Sequence, residues 1–155
     1  VEFGDLVDVA AADLDWAGRR QLGLSLRRVE LRRCRLTGAE LAEAAVGDVT
    51  FDECRVDLVG LRHAMLERVM FRDCRMRECD LSGATLKHVL FERCDLRGAT
   101  LSAARLQQVE LRACELTGIR GAEALRGARM PWNDVLQNAT LFASLAGIEI
   151  VTDDE

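Results

Sequence analysis

The sequence is poor in aromatic residues and in proline. Its 155 residues include no tyrosine and one proline, and aromatic residues make up only 5%. A core built from this chain must therefore consist of small and medium-sized side chains. With one proline and twelve glycines, the composition excludes a collagen-like or proline-rich disordered chain, and the hydrophobic content of 49% is sufficient for folding. No apolar run approaches the roughly 18 residues that a membrane helix needs, so no membrane partner is predicted.

A surplus of basic residues is also missing. The net charge is −5, which disfavours a general nucleic-acid-binding protein. Residues 1–25 carry a net charge of −3, residues 26–120 carry +2 and residues 121–155 carry −4. The negative charge therefore belongs to the two ends of the chain, and the part between them is slightly basic.

The six cysteines have a regular spacing. Five of them follow one another at intervals of 20 residues, and Cys79 is the exception. Disulfide frameworks and zinc sites have no such fixed interval, whereas internal repeats do. The five regularly spaced residues are Cys34, Cys54, Cys74, Cys94 and Cys114.

A five-residue pattern underlies this spacing. In blocks of five that begin at Val29, the third position is apolar in every block as far as Leu116, and the first is small or apolar. Five residues advance an α-helix by about 500°, so no apolar stripe forms. On a flat strand, an odd step moves the side chain to the opposite face. The pattern fits a chain that turns a corner once per block, with the first and third positions pointing inward.

Four blocks complete one coil. The kinds of residue at the first position recur every 20 residues, and so do Phe51, Phe71 and Phe91 at the third position. These phenylalanines are therefore predicted to share one side of a square core. Stacked coils would lie about 4.8 Å apart, so five coils would form a rod on the order of 24 Å long.

Two blocks carry a resemblance to a known family. The segments Cys79–Gly83 (CDLSG) and Cys94–Gly98 (CDLRG) resemble units of the pentapeptide-repeat family. This resemblance implies an all-β solenoid, a right-handed quadrilateral β-helix of about five coils with a C-terminal α-helical cap. Arg35, Arg55 and Arg75 replace the Asp or Asn that is usual at the second position of a repeat. That position points outward, so the departure concerns the surface and leaves the fold unaffected.

The repeat pattern divides the chain into three parts. Residues 24–120 are predicted to form the β-helix. Residues 1–23 are predicted to form an irregular N-terminal coil whose register is shifted by two residues, with an interruption at Trp16–Gly23. Residues 121–155 are predicted to form a C-terminal helix and a short tail that cover the open end of the solenoid.

The predicted C-terminal helix has recognisable ends. Pro131 is typical of a helix start, and Gly147 is typical of a helix stop. Leu136 lies on the apolar stripe between them, with Phe142 beside it. Besides plugging the solenoid, this helix could serve as a dimerisation element, and both roles are compatible.

The cysteines are interpreted as core residues. All six occupy first positions and point inward, where cysteine behaves as a small hydrophobic residue. Cysteines in adjacent coils would lie about 4.8 Å apart with parallel side chains, whereas a disulfide needs Cβ atoms about 3.8 Å apart. We therefore expect free thiols, no metal and no cofactor. Reduced cysteine fits a cytoplasmic location. His63 and His88 fall on outward corners, away from the cysteines.

No arrangement of residues indicates catalysis. No serine has a patterned histidine or aspartate partner, and no glycine-rich phosphate loop is present. The fourth position on one side reads Arg32, Asp52, Arg72, Glu92, Arg112, which predicts ion pairs between stacked coils. The protein is therefore predicted not to be an enzyme.

The remaining signals point to protein binding. Met70 and Leu90 occupy outward positions in adjacent coils, and Met65 is also predicted to be exposed, so these three residues, with Leu136 and Phe142, are the candidate interface. The predicted function is a non-enzymatic scaffold that binds another protein or a second copy of itself.

The family resemblance also implies an alternative function. Some pentapeptide-repeat proteins are similar to duplex DNA in shape and charge and bind type II topoisomerase. A DNA-mimic regulator of DNA gyrase is therefore the alternative, and direct nucleic-acid binding is not expected. Mimicry requires a negative field, and the slightly basic rod does not favour it.

Overall fold

One parallel sheet dominates the fold. The computed structural model describes residues 1–153, in which six strands stack in chain order. Each strand pairs with the strand 20 residues further along, as Val49 pairs with Val69. The predicted right-handed β-helix of about five coils is confirmed. The strands are β1 (Leu6–Ala12), β2 (Ser25–Arg32), β3 (Ala45–Asp52), β4 (Met65–Arg72), β5 (Thr85–Glu92) and β6 (Arg105–Arg112).

Each coil has four sides of five residues. The strands run along the first two sides, and single parallel bridges such as Arg35 to Arg55 and Glu40 to Gly60 connect the other two between coils. We number the four sides on the coil formed by residues 24–43. Residues 20 positions before or after a residue of this coil belong to the same side. Side 1 is 24–28, side 2 is 29–33, side 3 is 34–38 and side 4 is 39–43.

The last residue of every side forms a corner with left-handed backbone geometry. From Asp8 to Gly118, every fifth residue has a φ angle between 51° and 72°. Each corner stays bonded to the next coil: the Leu58 N–H, for example, donates to the Arg77 carbonyl at 2.9 Å. Glycine occupies several of these corners, and charged residues adopt the same geometry at others. No corner is Val, Ile or Thr, because β-branched residues tolerate positive φ poorly.

The core is a narrow square filled from the first and third positions. Every such residue from Leu24 to Leu101 is buried. The predicted phenylalanine column is confirmed. Phe51 and Phe71 have ring centroids 4.8 Å apart with an interplanar angle of 6°, and Phe71 and Phe91 have centroids 5.1 Å apart at 4°.

The N-terminal coil differs from the sequence prediction. The expected shift of register and the interruption at Trp16–Gly23 are absent, because β1 pairs with β2 in the same 20-residue register and the Gly18 N–H donates to Thr37 O at 2.9 Å. Trp16 is a regular third-position residue, buried at 3% exposure and packed edge-on against Phe3. Polar residues occupy the next two inward positions, Arg19 and Gln21, and they concealed the repeat in the sequence.

Residues 121–130 close the opposite end of the solenoid. A short 3-10 helix, Ala122–Leu125, buries Ala122 and Leu125 at the end of the core. Arg129 then pairs with the outer edge of β6, since its N–H donates to Val109 O at 2.9 Å and its carbonyl accepts from the Leu111 N–H at 3.0 Å. Two backbone groups at this edge of the sheet are thereby satisfied.

Two short helices follow where one was predicted. Helix α1 is Trp132–Gln137 and helix α2 is Ala139–Leu145. They are separated at Asn138, whose backbone N–H and side-chain amide both donate to the Asp134 carbonyl, at 3.1 Å and 2.8 Å. The predicted start is confirmed, because Pro131 immediately precedes α1. The predicted stop is also confirmed, because Gly147, just after α2, has a φ of 75°.

Candidate protein-interaction surfaces

The cysteine ladder lies inside the rod and bonds to the backbone. The Cys74 thiol lies 3.3 Å from the Phe51 carbonyl of the preceding coil, and the Cys94 thiol lies 3.2 Å from the Phe71 carbonyl. All six cysteines are unpaired. Burial raises the pKa of the Cys79 thiol to about 12. Such a thiol stays protonated at neutral pH and acts as packing.

Paired corners form a second ladder on the outside of the rod. Aspartates at fifth positions bind the arginine 20 residues later through two hydrogen bonds. Arg68 Nε lies 2.6 Å from Asp48 and Arg93 Nε lies 2.7 Å from Asp73. These bonds lower the pKa of both aspartates. These pairs were not predicted, although Asp followed by Arg at an interval of 20 residues is a visible signal in the sequence.

The predicted ion pairs on side 2 form between the inner coils. Arg32 lies 3.8 Å from Asp52, and Arg72 lies 3.5 Å from Glu92. At the last coil Arg112 instead binds Glu110 of its own strand at 2.6 Å. The charges of side 2 are thus used within the rod and leave no continuous field of one sign.

Side 3 holds a buried carboxylate. Asp57 is 9% exposed and accepts hydrogen bonds from Arg75 Nε and from the Arg77 N–H of the next coil, both at 2.9 Å. Asp95 binds Arg97, and its second partner is Arg77 at 2.6 Å. Both arginines hold the pKa of Asp95 far below its usual range, with Arg97 contributing most. These groups bind one coil to the next.

The apolar residues predicted on the rod do not form one patch. Met65 is 62% exposed and lies on side 1. Met70 and Leu90 are partly buried and stack on each other on side 2, where Arg72 also contacts the Met70 sulfur at 3.0 Å. Only Met65 therefore presents most of its surface to a partner.

The C-terminal helices carry a larger apolar surface. Trp132 is 69% exposed, Leu136 is 53% exposed and Leu145 is 46% exposed. Phe142 is partly buried and packs against the core, so it anchors the helices to the rod. Leu136 was predicted as an interface residue and Trp132 was not, although the two residues stand four apart in the predicted helix and so share a face.

Other kinds of site find no support among residues 1–153. There, no three histidine, cysteine or acidic side chains converge on a point that could hold a metal ion. No helix in the same range is long and apolar enough to cross a membrane.

Stacked square coils with left-handed corners define this protein as a β-solenoid built from five-residue units. The profile for the pentapeptide repeat region matches residues 24–101, which is half of the chain. The chain belongs to the pentapeptide-repeat family, as the CDLSG and CDLRG segments predicted.

Solved structures of the same kind resemble this chain at low sequence identity. HetL, a pentapeptide repeat protein involved in heterocyst differentiation regulation in the cyanobacterium Nostoc sp. strain PCC 7120, is 19% identical with a TM-score of 0.53, and the match covers 83% of this chain and 73% of HetL. QnrB1, a plasmid-mediated fluoroquinolone resistance protein, is 14% identical with a TM-score of 0.44, over 90% of this chain and 100% of QnrB1. A thylakoid-lumen protein of Arabidopsis thaliana is 14% identical with a TM-score of 0.32, over 83% of this chain and 75% of its own. No curated protein sequence matches.

Proposed function

We propose that this protein is a non-enzymatic scaffold that binds protein through its helical C-terminal end, and that its first partner is a second copy of itself. One observation carries the proposal. Helices α1 and α2 bury none of their residues, and they present Trp132, Leu136 and Leu145 to solvent. Trp132 and Leu136 lie four residues apart on one helix face, and neighbouring exposed apolar groups mark contact sites.

The composition of this end suits an interface. Exposed tryptophan is rare on monomers and is enriched among the residues that dominate binding energy. Helices of six and seven residues are also marginal without packing, so a partner that covers them would stabilise them. Self-association would bury the apolar face of both copies at once.

The rod is rigid, and many of its carboxylates are paired with arginine. On side 2 acidic residues alternate with arginines, and ion pairs form between coils, so the negative field required for DNA mimicry is weak. The gyrase alternative therefore has less support than protein binding through the helices. Six unpaired cysteines are typical of a reducing compartment, and we place the scaffold in the cytoplasm on that ground.

Sedimentation equilibrium tests the proposal. The full chain should show twice its mass of 17.2 kDa. Trp132→Ala combined with Leu136→Glu should give a monomer with an unchanged circular dichroism spectrum. Leu58→Glu is the matched control, because Leu58 is 54% exposed at a corner of the rod and should leave the dimer intact.

Three outcomes would count against the proposal. A monomeric wild-type chain, or a double variant that keeps the dimer mass, would exclude self-association through the helices. Inhibition of gyrase supercoiling at a low ratio of protein to enzyme would favour the alternative function.

A further inference from the structure

Side 1 carries cations that have no partner within the rod. The two carboxylates nearest the middle of side 1 are already bound by one arginine. Arg68 donates to Glu67 at 2.7 Å and to Asp48 at 2.6 Å. Arg28, at another corner of this side, is paired with Asp8. Among residues 1–153, three cations of side 1 make no ion pair or side-chain hydrogen bond: Arg27, Lys87 and Arg105.

A notch lies between these cations. Ala45 and Gly47 provide almost no side chain in their coil, while Arg27 stands on one side of them and Met65 on the other. A Cβ atom added at Gly47 would meet only a backbone oxygen at 4.0 Å, so the strand backbone forms an open floor. Met65, at 62% exposure, is the apolar lip of this notch.

The C-terminal tail has the complementary composition. Ile148, Ile150 and Val151 are 61%, 57% and 65% exposed, so most of their apolar surface faces solvent. Glu149 and Asp153 flank two of them, and no basic residue follows Arg129 in the sequence. The tail is therefore an apolar, acidic and non-helical segment, whereas side 1 offers three cations without an ion pair and the exposed Met65, and its Glu67 beside the notch is bound by Arg68.

The spacings of the two surfaces also match. Four residues separate Glu149 from Asp153, which is about 13 Å in an extended chain. Three coil steps separate Lys87 from Arg27, which is about 14 Å. Val151, near the middle of the tail, would then lie opposite Met65 and the notch.

We propose that side 1 binds the C-terminal tail of a second copy of this chain, with Lys87 and Arg27 facing the two tail carboxylates and the notch receiving its apolar residues. The inference rests on the proposed self-association and names one surface on which the second copy is held. The exposure of the tail's apolar residues shows that they are not docked on side 1 of their own chain.

Photo-cross-linking on the full chain tests this contact. A benzophenone amino acid at Val151 should cross-link to Met65, whose thioether side chain is a good target for that group. Mixing isotopically labelled and unlabelled chains distinguishes links between copies from links within one chain. We expect the mixed-isotope peptide that contains Met65.

Charge reversal tests the specificity of the contact. Arg27→Glu combined with Lys87→Glu should reduce the cross-link at least tenfold, and adding Glu149→Arg and Asp153→Arg in the tail should restore it. Arg55→Glu is the matched control, since Arg55 lies on side 3 and makes no ion pair among residues 1–153, and it should have no effect. Gly47→Leu should also abolish the link, because its side chain fills the notch.

Each outcome decides for or against the contact. A dimer by sedimentation with no cross-link to side 1 overturns the tail contact and leaves self-association standing. Cross-links confined to one chain would show that the tail binds side 1 of its own chain, and they overturn the contact between copies. A monomer without any link overturns both this inference and the proposed function.

Discussion

The phenylalanine column allows a sharp prediction about stability. Phe71 lies between two aromatic rings, whereas Phe91 has one aromatic neighbour. Both are nearly fully buried, at 1% and 3% exposure. Leucine already occupies the same column at Leu31 and Leu111, so Phe→Leu can be accommodated at either position.

The magnitudes follow from counting the lost ring contacts. Either substitution should cost about 1–1.5 kcal/mol through changed volume and shape. Each aromatic pair contributes about 0.5–1.5 kcal/mol beyond its buried area. Phe71→Leu loses two pairs and Phe91→Leu loses one, so the free energy of unfolding should fall by about 0.5–1.5 kcal/mol more for Phe71→Leu.

Urea denaturation, monitored by circular dichroism, measures the free energy of unfolding of both variants. The values are compared only if the m-values of the variants agree. A cycle with Phe51→Leu and Phe71→Leu should show a coupling energy of about 0.5–1.5 kcal/mol. Equal losses for Phe71→Leu and Phe91→Leu, together with no coupling, would show that the rings act by volume alone. The reasoning on stacked rings would then be refuted.

Three further predictions concern polar and ionisable groups. Asp57→Ala should lower the free energy of unfolding by about 1–3 kcal/mol, because the Arg77 backbone N–H and Arg75 Nε lose their acceptor, and thermal denaturation against the exposed-site variant Glu53→Ala measures this. Thiol titration should find six reactive cysteines after unfolding and should find the five buried ones protected in the native protein, and rapid reaction of native Cys79 would contradict its burial. The pKa of Asp95 is lowered in the folded state, so its stabilisation is present above its unfolded pKa of about 4 and is lost as the pH falls further. The free energy of unfolding of the wild type should therefore fall more steeply below that pH than that of Asp95→Asn. Equal pH dependence of the two proteins would show that the ionised Asp95 does not stabilise the fold.

The sequence predicted the solenoid well because the inward positions obey a local rule. A side chain at a first or third position is buried by the coils on either side, whichever coil it belongs to. The residues from Leu24 to Leu101 satisfy this rule, so the period of five, the four-sided coil and the phenylalanine column followed from the pattern. The rule was harder to see at Arg19 and Gln21, because the terminal coil has a neighbour on one side only and can place polar residues there.

The tertiary structure decided everything that depends on the ends of the solenoid and on long-range pairing. Leu136 is exposed and Phe142 is anchored because of where the rod ends and how α1 and α2 meet it, and a local period carries no information about that junction. Corner pairs such as Asp48 and Arg68 depend on left-handed geometry that aims both side chains along the rod. The sequence by itself thus determined what fills the core, while the folded chain decided which charges and apolar groups remain for a partner.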